Sequence, residues 1–146
     1  MDDWKKNLLE DDASIAALVR SLRRVAVLGI KTEAQGDQPA FYVPEYLAQR
    51  GIEVIPVPVY FPEVKTILGK PVFRRVADVP PPIDLVDVFR RPKDLAPHLD
   101  DLLAAKPKAV WLQLDIRDGA FAESLARAGI QVVQDRCLMV DHRRWA

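Results

Sequence analysis

Short apolar runs recur along the chain, and polar or proline-rich stretches separate them. The run over 25–30 is rich in valine and leucine, which predicts a strand buried on both faces of a parallel sheet. Five further runs predict additional strands, the second of them a short edge strand: 52–57, 71–73, 84–89, 108–113 and 130–133.

Helical periodicity fills the segments between these strands. After a cap at Asp11 or Asp12, apolar residues recur at helical spacing and predict an N-terminal helix over about 12–22. Further helical segments are predicted over 42–50, as a turn at 64–68 closed by Gly69, from Pro92 to about 105, over 118–128 with Phe121, Leu125 and Ala128 inward, and in the tail.

Strands that alternate with helices predict an α/β fold with right-handed crossovers. We expect a Rossmann-like, doubly wound parallel sheet of about five or six strands in a single three-layer domain. The domain would span 1–146, with the sheet core over about 24–134 and a tail over about 135–146.

Charge and composition narrow the classes of partner. The 21 basic residues balance the 21 acidic ones, so no broad positive surface is predicted for nucleic acid or an anionic membrane. No apolar run approaches the roughly 18 residues of a membrane span, and the start at Met1–Trp4 is acidic, unlike a signal peptide. The single Cys137 excludes an internal disulfide and predicts a cytoplasmic protein.

The turn after the first strand is the first place to seek a ligand, because open α/β sheets bind ligands outside the carboxyl ends of their strands. Gly29 ends that strand, where a glycine permits a sharp turn and a close ligand. A dinucleotide fingerprint is missing, since the next glycine is Gly36 and the second strand ends without a carboxylate. A GxxxxGK[ST] phosphate loop is absent too.

Polar groups at predicted strand ends favour a phosphate instead. Lys31 follows the first strand, Arg90 and Arg91 follow the strand over 84–89, and Gln113 follows the next one. Arginine donates twice to phosphate oxygens, and the helix start near Tyr42 adds free amides. The alternative is that the arginines decorate a loop and form salt bridges with Asp87 or Asp94.

Apolar residues beside these cations predict an apolar surface next to the phosphate-binding groups. This combination suits a ligand with an uncharged arm and a phosphorylated head. Coenzyme A or an acyl-CoA is such a ligand. The predicted cofactor-binding residues are Gly29, Ile30, Lys31, Tyr42, Pro56, Val57, Pro58, Val88, Phe89, Arg90, Arg91 and Gln113. The phosphates would lie over the turn between Gly29 and Tyr42, and the pantetheine arm along Val57–Val59 and Val88–Phe89.

Several strings, in their order, resemble those of the small CoA-binding-domain family. They are VAVLG at 25–29, PAFYVPEYL at 39–47, GIEVIPV at 51–57, ILGK at 67–70, DLVDVFRRP at 84–92, VWLQ at 110–113 and DRCLMV at 135–140. The family comprises stand-alone bacterial and archaeal proteins similar to the CoA-binding domain of the succinyl-CoA synthetase alpha subunit. The resemblance spans roughly residues 12–144 and implies a Rossmann-like CoA-binding fold with no established catalytic activity.

The chain departs from the family pattern at two places. The family's first loop commonly begins with Ser-Pro and ends with Arg-Pro-Ser, whereas this chain has Ile30-Lys31-Thr32 and Gln38-Pro39-Ala40. After the second strand the family usually reads Val-Asn-Pro, and here it reads Val57-Pro58-Val59. Lys31 or the arginine pair would then supply the phosphate contacts.

Two other functions stay open beside a non-catalytic CoA-binding module. Cys137 with His142 suggests a thiol nucleophile in an enzyme subunit, which would carry out acyl transfer through Cys137. The more ordinary interpretation is a small buried cysteine, with Asp135 and Arg136 paired to each other or to backbone. The other alternative is a degenerate scaffold that binds a protein partner.

The remaining histidine and the terminal tryptophans carry weaker signals. His98 is expected at the surface of its helix. The two histidines and one cysteine stand at spacings that predict no metal site. Trp4 and Trp145 near the termini suggest packing against each other or a homodimer.

Overall fold

A computed structural model describes residues 3–146, and a five-stranded, wholly parallel sheet forms its centre. The strands of the chain are β1 (Arg24–Leu28), β2 (Glu53–Val57), β3 (Thr66–Ile67), β4 (Lys70–Pro71), β5 (Leu85–Val88), β6 (Ala109–Leu112) and β7 (Gln131–Val133). The sheet order is β2-β1-β5-β6-β7. β1, β5 and β6 occupy its middle, which explains why their runs are apolar at almost every position.

Helices cover both faces of the sheet, which confirms the doubly wound α/β prediction. They are α1 (Asp12–Arg20), α2 (Pro39–Gln49), α3 (Leu99–Ala105), α4 (Gly119–Arg127) and α5 (Leu138–Trp145). One apolar core joins one face of the sheet to α1, α2 and α5, and a second joins the other face to α3 and α4. Among residues 3–146, no helix has the length and apolar character that crossing a membrane requires.

α1 begins where the sequence predicts. The Asp11 carboxylate accepts a hydrogen bond from the Ser14 amide at 2.9 Å, so it satisfies one of the donors that a helix start leaves free. The helix buries Ile15 and Val19 against the sheet.

α2 begins three residues earlier than predicted, at Pro39 rather than Tyr42. Proline suits the first helical position, because its φ is already helical and its missing N–H would have no partner there. Pro44 lies inside the helix and cannot donate to the carbonyl four residues earlier, that of Ala40. The Lys31 amide donates to this carbonyl instead, at 3.1 Å, so the proline ties the β1–α2 loop to the helix.

The predicted helical turn at 64–68 is wrong, because the chain forms an antiparallel hairpin of β3 and β4 there. Leu68 and Gly69 both have positive φ, 52° and 73°, which is the geometry of a tight hairpin turn. After the hairpin, the Phe73 amide donates to the Pro56 carbonyl at 2.9 Å and partly covers the edge of β2. The predicted strand near 71–73 is therefore a hairpin arm outside the main sheet.

Two smaller expectations also need correction. The segment after Pro92 starts as two 3-10 turns, and its α-helix begins only at Leu99. Ala128 is exposed beyond the end of α4, and Ala126, inside the helix, is buried instead.

The terminal tryptophans do not pack together. The Trp4 ring contacts the Arg127 guanidinium, whereas the Trp145 carbonyl accepts a hydrogen bond from Arg20. The homodimer inferred from the two tryptophans stays a prediction.

Candidate functional site

The carboxyl ends of four strands meet at one rim of the sheet. Backbone hydrogen bonds join neighbouring ends, from the Gly29 amide to the Val57 carbonyl at 2.9 Å, from Phe89 to Leu28 at 2.9 Å, and from Gln113 to Val88 at 3.3 Å. The strand order reverses between β1 and β5, since β2 lies to one side of β1 and the later strands lie to the other. Such a switch point opens a crevice between the two outgoing loops, which is where ligands of open α/β sheets bind.

Gly29 allows β1 and β5 to approach each other at this point. Its φ is +85°, and a Cβ built there would lie 2.4 Å from the Phe89 carbonyl oxygen. Both the left-handed backbone and the contact exclude a side chain. The glycine is thus required by the close backbone approach that forms the floor of the crevice.

A cavity of about 480 Å³ opens at the rim, within the range of small-molecule sites. Its walls are the segments that follow β1, β5, β6 and β7. They contribute Lys31, Gln38, Pro39, Ala40, Tyr42, Phe89, Arg90, Arg91, Pro92, Gln113, Leu114, Asp115, Ile116 and Cys137. Smaller hollows of about 240 and 340 Å³ lie by the Leu8–Arg136 surface and beside the edge of β2, away from the switch point. We call the 480 Å³ cavity the rim cavity.

Half of the predicted site residues line the rim cavity, namely Lys31, Tyr42, Phe89, Arg90, Arg91 and Gln113. The others are not among its lining residues: Gly29, Ile30, Pro56, Val57, Pro58 and Val88. Val57 and Val88 are fully buried, and their side chains belong to the core on the α3–α4 face. The structure therefore does not place these two valines on a wall of the rim cavity, and ligand contact by this second group stays a prediction.

Lys31 and the start of α2 form the cationic corner of the rim cavity. The Lys31 ammonium donates to the Gln38 side-chain oxygen, which holds the lysine across the mouth of the β1–α2 loop. A capping box between Thr32 and Gln35 closes the loop on itself. An ammonium next to the first turn of a helix attracts an anionic group.

Arg90 is held in place by two aromatic side chains. Its Nε donates to His98 Nε2 at 3.2 Å, and one of its Nη atoms donates to the Tyr60 hydroxyl at 3.2 Å. Its second Nη has no partner within residues 3–146, which leaves a charged donor for a ligand. His98 is half-buried rather than a free surface residue, and burial together with the Arg90 charge lowers the pKa of its imidazole. The hydrogen bond from Arg90 lowers the pKa of the Tyr60 hydroxyl.

The alternative interpretation of the arginine pair is right for Arg91 alone. Arg91 forms a 3.0 Å ion pair with Asp94, so its charge is largely balanced. Asp87 pairs with neither arginine: it is fully buried in β5, and neither carboxyl oxygen has a hydrogen-bond partner. Burial raises the pKa of the Asp87 carboxyl well above its usual range.

The pairings predicted near Cys137 are partly corrected. Asp135 accepts from the Asp115 amide at 2.7 Å, a backbone bond as expected, but Arg136 forms a bidentate pair with Asp141 at 2.8 Å instead of pairing with Asp135. His142 shares a 2.9 Å hydrogen bond with the Tyr46 hydroxyl.

The thiol of Cys137 is free, and the residue is partly buried on the wall of the rim cavity. No group of three or more His, Cys, Asp or Glu in the described residues is arranged to hold a metal ion.

Sequence reasoning missed the residues that follow β6 and β7 on the cavity wall, namely Leu114, Asp115, Ile116 and the placement of Cys137. The strand-end rule that identified Gln113 applies equally to the next three residues. Sequence reasoning also missed Tyr60 and His98 as partners of Arg90, because both lie within the segments after β2 and β5 rather than directly at the strand ends. Only the folded chain brings these side chains to the arginine.

Comparison with known proteins identifies relatives across nearly the whole chain. The family model described as "CoA binding domain" matches residues 23–143. The uncharacterised protein YneT of Bacillus subtilis is 27% identical over 130 residues, which cover 89% of this chain and 93% of that protein.

Solved structures give the same result. A Thermus thermophilus protein is 39% identical with a TM-score of 0.84, and the match covers 94% of this chain and 100% of that one. A hypothetical protein of Pyrococcus horikoshii OT3 is 26% identical with a TM-score of 0.81, and the match covers 93% of this chain and 92% of that one. The resemblance stated from the sequence is thereby confirmed.

Proposed function

Because this chain belongs to the CoA-binding domain family, we propose that it binds CoA or an acyl-CoA in the rim cavity, as a binding module rather than as an enzyme. The observation that carries the proposal is the chemistry of that cavity at the switch point. Its lining combines the cations Lys31 and Arg90 with apolar residues such as Phe89 and Ile116. A phosphorylated ligand with an uncharged arm requires both.

The phosphates are assigned to the cationic corner. Lys31 lies beside the first turn of α2, and Arg90 retains one unengaged Nη, so both donate charge-assisted hydrogen bonds to phosphate oxygens. Arg90 loses little side-chain freedom on binding, because Tyr60 and His98 already hold it. This arrangement takes the place of the Ser-Pro and Arg-Pro-Ser contacts of the family's first loop.

The pantetheine arm is assigned to the apolar side of the rim cavity. Tyr42, Phe89 and Ile116 offer this surface, and the segment after β6 leads from them to Gln113. Because Val57 and Val88 are buried, the arm is assigned to Phe89, which was predicted from the sequence, and to Ile116, which was not. The arm would then run along the strand ends from the α2 start toward Cys137.

Titration calorimetry tests the proposal with matched arginine variants. We expect CoA to bind, and Arg90→Ala to weaken binding by about 1.5–3 kcal/mol, or about 10- to 150-fold, because a charge-assisted hydrogen bond is lost. Arg91→Ala is the control, and its effect should be smaller because Asp94 already balances that charge. No heat at about 1 mM CoA would reject the proposal and favour the scaffold alternative.

We also propose that residues 1–146 form a single domain and that the protein acts in the cytoplasm. The two apolar cores share one sheet, which supports the first statement. The lone cysteine supports the second, since a reducing compartment does not select for disulfides.

A further inference from the structure

Gln113 and Cys137 lie together on the wall of the rim cavity. Gln113 follows β6, and Cys137 precedes the first residue of α5. The amide of Leu138, the residue after the cysteine, donates to the Gln113 side-chain oxygen at 3.1 Å. This bond holds the glutamine and the thiol-bearing residue in a fixed relation.

Because the Gln113 side-chain oxygen is used in this bond, its Nε2 group remains as a donor without a partner in the described part of the chain. Gln113 is only 4% exposed, and its Nε2 makes no hydrogen bond within residues 3–146. Because Gln113 lines the rim cavity, this N–H is available to donate to an oxygen atom of a ligand bound there.

The acceptor that fits is the carbonyl oxygen of a thioester. A pantetheine arm carries its acyl group at the end remote from the phosphates, and Gln113 with Cys137 lies at the end of the cavity wall remote from the β1–α2 loop in sheet order. We propose that Cys137 takes the acyl group from bound acyl-CoA by thiol–thioester exchange, with Gln113 donating to the thioester oxygen. This inference rests on the proposed CoA-binding function.

The step balances without an oxidant or a second substrate. The Cys137 sulfur, after losing its proton to solvent, bonds to the thioester carbon, and the bond from that carbon to the CoA sulfur breaks. The CoA thiolate takes up a proton from solvent. One thioester replaces another, so the exchange is stoichiometric and close to isoenergetic. Cysteine needs no adjacent base for this reaction, in keeping with the engagement of His142 by Tyr46.

Gln113 acts on the carbonyl oxygen, where negative charge develops during attack. A preorganised donor at such an oxygen contributes about 100-fold or more in rate. Gln113→Glu tests this role most directly. One glutamate oxygen still accepts from the Leu138 amide, and the other replaces the Nε2 donor with an acceptor. Cys137→Ala removes the only thiol of the chain.

Intact-mass spectrometry of the protein incubated with acetyl-CoA, followed by peptide mapping, tests the proposal. We expect one acetyl group on Cys137, none on the Cys137→Ala variant, and transfer about 100-fold slower in Gln113→Glu. Calorimetry of the wild type with CoA runs in parallel.

Two results overturn the exchange while leaving CoA binding intact: heat of binding without acetylation, or acetylation no faster than that of N-acetylcysteine and unchanged in Gln113→Glu. The absence of heat would instead reject the proposed function itself.

Discussion

Replacing Gly29 by alanine should destabilise the protein by about 2–5 kcal/mol. The left-handed φ of +85° costs a residue with a Cβ about 1–2 kcal/mol. The new methyl would also lie 2.4 Å from the Phe89 carbonyl oxygen, so the ends of β1 and β5 must separate. Forcing an extra group into a packed site typically costs a further 1–3 kcal/mol, a rough range. Urea unfolding of the variant and the wild type measures the sum.

Gly129→Ala is the matched control for this measurement. Gly129 has the same φ of +85°, but a Cβ there would meet no atom within 4 Å. The stability lost in Gly129→Ala should therefore reflect the backbone conformation alone, about 1–2 kcal/mol. Equal losses in the two variants would show that the close approach of β1 and β5 at the rim does not hold.

Asp87 should make the protein less stable as the pH rises, the reverse of the usual behaviour of a carboxylate. The unfolded chain releases this proton near pH 3.9, whereas burial raises the pKa of the folded-state carboxyl well above its usual range. Above about pH 4 the folded state thus binds one more proton than the unfolded state. Stability is fully present below the unfolded pKa and falls by about 1.4 kcal/mol per pH unit until the folded-state pKa is reached.

Asp87→Asn removes this dependence, because an amide of nearly the same shape does not titrate. Above about pH 4 the stability of the wild type should fall relative to that of the variant as the pH rises, because only the wild type gives up a proton on unfolding. Urea unfolding at several pH values gives the two curves. Asp100→Asn is the same change at an exposed position of α3. This variant should keep the wild-type dependence of stability on pH. Parallel curves for wild type and Asp87→Asn would refute a protonated Asp87.

Hydrophobic patterning predicted the sheet and its helices because burial on two faces leaves a direct mark on composition. The segments that form β1, β5 and β6 are apolar at nearly every position, and such unbroken apolar runs distinguish buried strands from exposed segments of the chain. The hairpin of β3 and β4 left no such mark. Its turn uses Leu68 in a left-handed conformation, which leucine rarely adopts, so local propensity favoured a helical turn.

The sequence predicted those site residues that directly follow a strand of the main sheet. Lys31, Arg90 and Gln113 each follow a strand that reaches the rim, and the topology gathers them. Val57 also ends a strand, but its side chain points into the core, and alternation along β2 does not reveal which face the ligand uses. Arg90 is 30 residues from Tyr60 and eight residues from His98, and only the folded backbone brings these side chains within hydrogen-bond distance. Such contacts have no signature in one sequence.

The central claim is that CoA occupies the rim cavity, and amide NMR of the uniformly ¹⁵N-labelled protein titrated with CoA tests it most directly. We predict saturable shift changes concentrated at residues 29–42, 89–91 and 113–116, around the switch point between β1 and β5. Shift changes centred instead on the Leu8–Arg136 surface or the edge of β2, or a spectrum that CoA leaves unchanged, would contradict the account.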